Sequence, residues 1–554
     1  MGFNYLIEAV GGVGCFQIIF IIFSLLSTTM SACQIFVQNF SAHVTAHHCH
    51  LPFLSNETRR VNLTHKDFLK AFIPVGANQQ LERCFRFTTP QWGLLTTNDT
   101  EVNRTEAVRE PCSDGWTYDT SLFSSTIVSE WDLVCNLQDL RQLSQSVFMA
   151  GVLLGAIVFG RLADRFGRRA LIILSYLQMS VAGTCAAFLP SFILYCSFRF
   201  LTGMAFSGLH LSSISLILEW MPIRGRTMAV SLPGQGFPLG QLLVAGVAYG
   251  IRDWRWLQFA VSAPFYLIFL LSWFIPESAR WLILNDRTPE AINNLRKVAR
   301  INGKQEESQK LTVELIETHM KEASSMTPST SFLDLVRTPG IRRISCCLMF
   351  LWFSTSLGFY ALAMDLQNFG LSLFLVQVCF GTFDIFATQA SISAMDFFGR
   401  RLSLSFSLLI AGLLIIANIF VPQEMHMVRT ALATTGKGCF ASAFSILFTF
   451  SGELYPTVIR QTGLGFLSMI ARAGAILAPL IHMIANYVSF LPPVIFSASA
   501  IMAGLTAYTL LETRNSTLLD TVEEVEIRVK GKPLPEVEAV PLTQKNGTIL
   551  PQTV

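Results

Sequence analysis

A chain of 554 residues that is 51% hydrophobic and only 14% charged, with a mean hydropathy of +0.48, is too apolar for a soluble protein. Its formal charge of +3 is small, and no basic stripe or acidic block calls for nucleic acid or another polyanion. A polytopic membrane protein remains, whose solvent and first partner is the lipid bilayer.

Met1 to Phe16 contains Glu8 and lacks both a basic n-region and a small-residue cleavage site. It reads as a retained cytoplasmic lead-in of amphipathic character rather than a signal peptide. Apolar runs then recur at 16–38, 141–163, 170–190, 192–218, 228–250, 255–275, 343–365, 371–395, 402–421, 428–450, 461–485 and 491–511. A helix of about 20 residues crosses about 30 Å of hydrocarbon, so these are twelve expected transmembrane spans. The expected fold is all-α membrane protein, two six-helix bundles at 16–275 and 343–511. A cytoplasmic N-terminus (1–15), a charged linker (276–342) and a tail (512–554) complete the division. The linker reads as short amphipathic helices in water, and most of the tail reads as disordered.

Between spans one and two lies the long polar segment from about 40 to 140. It holds four of the 12 cysteines, Cys49, Cys84, Cys112 and Cys135, enough for two disulfides in any of three pairings. It also holds the glycosylation sequons at Asn56, Asn62, Asn98 and Asn103, whereas the match at Asn39 abuts the first span. Short loops rich in Arg follow spans two, four, eight and ten, which places them and both termini in the cytoplasm and the cysteine-rich segment outside. Arg252 and Arg255, after span five, are exceptions to that pattern.

Self-similarity divides the chain in two. Asp164-Arg-Phe-Gly-Arg168-Arg169 is repeated as Asp396-Phe-Phe-Gly-Arg400-Arg401, 232 residues later. Glu219-Trp-Met-Pro-Ile-Arg-Gly-Arg226 is repeated as Glu453-Leu-Tyr-Pro-Thr-Val-Ile-Arg460 at an offset of 234, and Glu277-Ser-Ala-Arg280 as Glu512-Thr-Arg514 at 235. The Arg residues set topology, but topology has no need of the acids among them. These loops are therefore expected to form a cytoplasmic gate whose ion pairs latch the two halves and break as they rock apart. A parallel repeat with a site between the halves is the arrangement of alternating access.

These motifs resemble those of the major facilitator superfamily. Glu277-Ser-Ala-Arg-Trp281, Cys112-Ser-Asp-Gly-Trp116 and Ser125-Thr-Ile-Val-Ser-Glu-Trp-Asp-Leu-Val-Cys135 are similar to solute carrier family 22, over Met1 to about Val529. Within that family the resemblance implies the organic anion branch, which has a basic residue at the position of Arg472 where the cation branch has an acid. It also implies aromatic contacts at Trp352, Phe359 and Tyr360 in span seven and Phe444 and Phe448 in span ten. The branch often has a second basic residue where this chain has Thr388, so a dicarboxylate is the counter-anion whose exchange Thr388 bears on.

Arg472 sits mid-span, where an intramembrane cation is costly and marks function or pairing, with Asp384 its candidate partner. Gln34, Asn39, His210 and Gln235 are polar side chains at apolar runs and complete the expected substrate site. Arg199, Arg429 and Lys437 are expected nearer helix ends, held by snorkelling or structural pairing. Expected partners are small organic anions: aromatic carboxylates, sulfated steroids, prostaglandins or urate. An organic cation or zwitterion carrier, a sugar facilitator and a non-transporting receptor of the same fold are the rivals; span seven lacks the Gln-Gln and Asn pattern of hexose binding. No Walker loop, metal cluster or nucleophile–base arrangement stands out, so neither cofactor nor enzymatic activity is expected.

Overall fold

The computed structural model describes residues 2–51, 65–76, 81–92, 108–304, 306, 335–369, 371–456, 458–514, 519 and 521–530. The four sequons and most of the linker from 305 to 334 lie outside the described residues.

Eleven described helices are long and apolar enough to cross a membrane: Cys15–Ser41, Cys135–Phe166, Arg168–Phe188, Phe192–Glu219, Trp254–Ser272, Pro339–Met364, Leu373–Phe398, Arg400–Phe420, His426–Leu454, Arg460–Met483 and Leu491–Tyr508. They are spans one to four, six and seven to twelve. Span five differs from the continuous helix expected at 228–250. It is broken into Arg226–Gly234 and Gly236–Gly250, because Pro233 and Pro238 withhold two N–H donors around Gln235. Spans two, three and four pack on one another, and span nine packs on spans ten and twelve. The two sets meet where span two packs on span eleven and span five on span eight.

Glycine makes the close crossings possible. A Cβ on Gly151 or Gly203 would lie 2.1 or 2.2 Å from a backbone carbonyl of the facing helix, so spans two and four approach backbone to backbone.

The lead-in is not a surface element. Leu6, Ile7 and Val10 are buried in the main core. The linker helix Thr288–Ile301 buries Ala291, Ile292, Leu295 and Val298. Just beyond it, the Asn302 amide donates to Val10 O (3.0 Å) and its oxygen accepts from Phe16 N (2.9 Å), tying the linker to span one.

Part of the tail is likewise ordered. Val522–Val529 is helical with Val525 buried, and Glu526 accepts from the N–H groups of Gly340 (2.6 Å) and Ile341 (3.3 Å) at the start of span seven. The neighbouring Thr338 hydroxyl, then those two backbone donors, hold the Glu526 carboxyl below its ordinary pKa. A depressed acid stabilises the docked form above its ordinary pKa and loses that contribution as pH falls through the folded value. Glu526→Gln at neutral pH is therefore expected to free the tail. Limited proteolysis after residue 514 checks this: equal cleavage of variant and wild type would sink the idea.

The segment between spans one and two forms a small disulfide domain. Strand β1 (His47–Cys49) pairs antiparallel with β4 (Trp116–Tyr118), and β2 (Phe85–Phe87) with β3 (Arg109–Pro111). The disulfides are Cys49–Cys112 and Cys84–Cys135. This domain also explains the two exceptional arginines. Arg255 pairs with Glu130 and donates to Ala187 O (2.7 Å), and Arg252 donates to Leu122 O (3.4 Å), so both are neutralised or bound within the domain's own face.

The repeated loops form two equivalent devices on the opposite face. Glu277 accepts from the backbone N–H groups of Arg168 (3.1 Å) and Arg169 (3.1 Å), and Glu512 from those of Arg400 (2.9 Å) and Arg401 (3.0 Å). A carboxylate thus sits on the exposed N-terminus of span three, and another on that of span nine, where the helix dipole favours negative charge. Gly167 (φ 96°, ψ 155°) and Gly399 (φ 86°, ψ 171°) make this geometry possible, in a backbone region open to glycine alone. A Cβ there would also lie 2.2 Å from Glu277 Oε2 or 2.7 Å from a Glu512 oxygen. Gly167→Ala is expected to cost about 1–3 kcal/mol, read as a lower melting temperature of the purified protein; melting like wild type would show that the turn tolerates a side chain.

In this structure, closed at the disulfide-domain end, the ion pairs of these loops each lie within one half. Arg168 pairs with Asp164 (3.3 Å) and Glu219 (3.4 Å), all in the first half. Arg400 pairs with Glu453 (3.1 Å), which also accepts from Thr513 Oγ1 (2.6 Å), all in the second. Arg460 donates to Tyr455 O (3.2 Å), and Arg401 stacks 4.6 Å over the Tyr508 ring. Arg169 donates to Trp273 O (2.7 Å). Asp396 is exposed, and exposed Arg226 and Arg280 face each other as like charges. The carboxylates are drawn to the arginines and helix N-termini of their own bundle, so each cluster braces three spans of one half.

Candidate functional site

Helix geometry places the expected residues at mid-membrane depth. At about 1.5 Å per residue, Arg472 lies 12 residues inside the span that begins at Arg460, and His210 lies nine residues from the end of span four at Glu219. Both lie well inside the motif face. Arg472 belongs to the second half and His210 to the first, yet they interact electrostatically across the boundary. His210 is exposed and stacks on Phe206 at 6.0 Å.

Arg472 donates to Ser468 O (3.1 Å) and to Ser468 Oγ in its own helix, and it interacts electrostatically with Tyr360. Among the described residues no carboxylate pairs with it. Asp384, the candidate partner, is instead bound to Lys437. A guanidinium has five N–H donors, so most of its fork remains for another acceptor.

The five expected aromatics form one connected group. Phe359 meets Tyr360 at 5.4 Å and Phe444 at 5.5 Å, and Trp352 meets Phe444 at 6.1 Å and Phe448 at 6.4 Å. All four contacts are edge-to-face, the geometry favoured by ring quadrupoles. Trp352 donates to Ser451 Oγ (3.0 Å), which fixes its plane. Phe448 is 46% exposed beside it, so the group presents an open ring surface.

Two expected polar residues do other work. Gln34 is fully buried: it donates to Ser262 Oγ (2.9 Å) and accepts from Gln258 (3.0 Å). Arg199, two turns from the start of span four, donates to Gln34 O (3.1 Å) and sits 4.4 Å over Phe148. That network is internal to the first half. Asn39 donates to Ala363 O (2.9 Å) and Gln377 Oε1 (3.3 Å), closing the two halves at the disulfide-domain end instead of facing a ligand. Phe40 stacked on Phe374 at 5.6 Å reinforces that closure. Gln235 sits at the break in span five with Oε1 buried and unpartnered among the described residues. Thr388 bonds back to Asp384 O (2.8 Å) in its own helix.

Lys437 was expected near a helix end and is fully buried well inside span ten. Its ammonium contacts Asp384 and Gln241 Oε1 (3.0 Å), while the Gln241 amide donates to Asp384 Oδ2 (2.9 Å). It also lies 4.9 Å from the Phe359 ring centre and 5.2 Å from that of Phe380. This triad joins the two halves and touches the aromatic group. Its signal in the sequence is a lysine in the middle of the expected 428–450 span, where an unpaired ammonium is untenable.

Residues 101–525 match the sugar (and other) transporter family. The chain is 50% identical over 532 residues to mouse solute carrier family 22 member 20, covering 96% of this chain and 95% of that one. It is 47% identical over 553 residues to Xenopus laevis solute carrier family 22 member 6-A (99% and 98% covered), and 46% over 533 to the rat member 6 (96% of each). Among solved structures, the inward-open xylose transporter XylE from E. coli superposes with a TM-score of 0.59 at 17% identity, covering 92% of this chain and 99% of that one, which shows the shared fold. The repeated loops, the twelve-span arrangement and these relatives agree: the chain is a multi-pass membrane protein belonging to solute carrier family 22 of the major facilitator transporters.

Proposed function

We propose that this protein moves amphipathic organic anions across the plasma membrane by alternating access. The disulfide domain then lies outside, with the motif face and both termini in the cytoplasm. The observation that supports this reading is Arg472, a mid-membrane guanidinium without a carboxylate partner, beside a group of five aromatic rings. A planar fork suits a carboxylate or sulfate, and the rings suit an aromatic or steroid body. The same geometry argues against cations. The one carboxylate described in this region, Asp384, is already engaged by Lys437, so none is left free to hold an ammonium.

Aromatic carboxylates, sulfated steroids, prostaglandins and urate are the candidate substrates, and a dicarboxylate is the candidate counter-anion. Thr388 offers no charge to such an exchanger and is spent on its own helix. Uptake of labelled anions and cations by expressing cells, with and without preloaded dicarboxylate, tests the reading. Saturable anion uptake is expected; uptake of cations alone would overturn it, and acceleration by preloaded dicarboxylate would establish exchange despite Thr388.

A further inference from the structure

A cavity of about 750 Å³ opens at the disulfide-domain end of the molecule. Its walls are the disulfide domain and the start of span two on one side, and the outer ends of spans seven and nine to twelve on the other. Three guanidinium groups line it, Arg83, Arg141 and Arg429, against one carboxylate, Asp365. Asp365 interacts with Arg141, which also donates to Gln367 Oε1 (3.3 Å). Arg83 and Arg429 thus have no counter-charge among the described residues. The Nε of Arg429 and the Oδ1 of Asn418 are moreover buried with no hydrogen-bond partner among those residues.

Leaving a buried donor and acceptor unmade costs about 1–3 kcal/mol each, which makes such a pair at a cavity wall a sign of a missing ligand. The rest of the wall is mixed, with polar Gln138, Gln142 and His426 and an apolar part formed by Ile415, Leu432 and Phe496. Uncompensated guanidiniums beside hydrocarbon select a ligand with an anionic head and an apolar body.

We propose that this cavity is a second binding site, for an amphipathic anion whose carboxylate, sulfate or phosphate head is held by Arg429 and Arg83. Arg472 lies in a different part of the chain's membrane section and lines none of it, so the assignment is independent of the central site. A soluble organic anion and an acidic lipid of the adjoining leaflet have the same chemistry.

The test is equilibrium binding of anilinonaphthalene sulfonate to the full chain in phosphatidylcholine nanodiscs, measured against empty nanodiscs. Two saturable classes are expected. Arg83→Gln with Arg429→Gln weakens one class roughly tenfold or more and leaves the other; Arg472→Ala does the reverse, so each variant shows that the other is folded. Displacement of the Arg429-dependent class by phosphatidylserine in the nanodisc identifies a lipid headgroup as the occupant, and its persistence identifies a soluble anion. Binding unchanged in the double variant overturns the second site while leaving the central one standing. Loss of only the Arg429-dependent class, with none depending on Arg472, supports this site and counts against the central assignment.

Discussion

Arg472→Ala is expected to lower uptake of a labelled aromatic carboxylate or sulfated steroid by roughly 30- to 100-fold, the loss of about 2–3 kcal/mol from a charge-assisted bidentate contact. The variant should still fold, since among the described residues the wild-type guanidinium hydrogen-bonds only within its own helix, to Ser468. No buried carboxylate is orphaned by its removal. Arg472→Lys keeps the charge and loses the fork, so it should retain an intermediate rate. Measuring surface expression beside initial rates separates the two effects. Anion uptake within threefold of wild type, at equal expression, would show that the substrate is held elsewhere.

The second large effect lies at the triad of Gln241, Asp384 and Lys437. Removing one partner of a buried ion pair strands the other charge, at about 3–5 kcal/mol, whereas replacing both with apolar groups of similar volume is often tolerated. Asp384→Leu alone and Lys437→Met alone should therefore lose most folded protein at the surface. The double variant Asp384→Leu with Lys437→Met should regain only part of the lost melting temperature and expression, since it leaves the buried Gln241 amide without its two partners. Its transport rate then reports on the bridge to Gln241, which links the halves. If either single variant melts like wild type, the pair does not stabilise the fold.

Much of the architecture was readable in the residues themselves. Length of apolar runs marked twelve spans, eleven of them single long helices and the fifth broken at Gln235, since a bilayer admits few alternatives to a helix of about 20 residues. Arg-rich loops at nearly constant offsets marked the two halves. The central arginine and the aromatic positions were legible because a charge at that depth is rare and the family motifs fixed the register of spans seven, ten and eleven.

What remained hidden depended on which way each helix turns and which neighbour it meets. Asp384 had two cations within sequence reach, Arg472 and Lys437, and only the rotation of spans eight, ten and eleven selects the lysine. Gln34 and Asn39 lie one and a half turns apart on span one; packing against spans four and six buries the first in its own half, while the second meets span seven and seals the far face. The repeated Glu277 and Glu512 showed in sequence as charges to be paired. Only the tertiary fold brings each to the N-terminus of a neighbouring helix, where two oriented N–H groups bind a carboxylate and a glycine leaves room for it. Composition and spacing determine what must cross the membrane, because burial of the backbone allows one solution; side-chain partners are chosen by helix rotation, which a one-dimensional pattern leaves open.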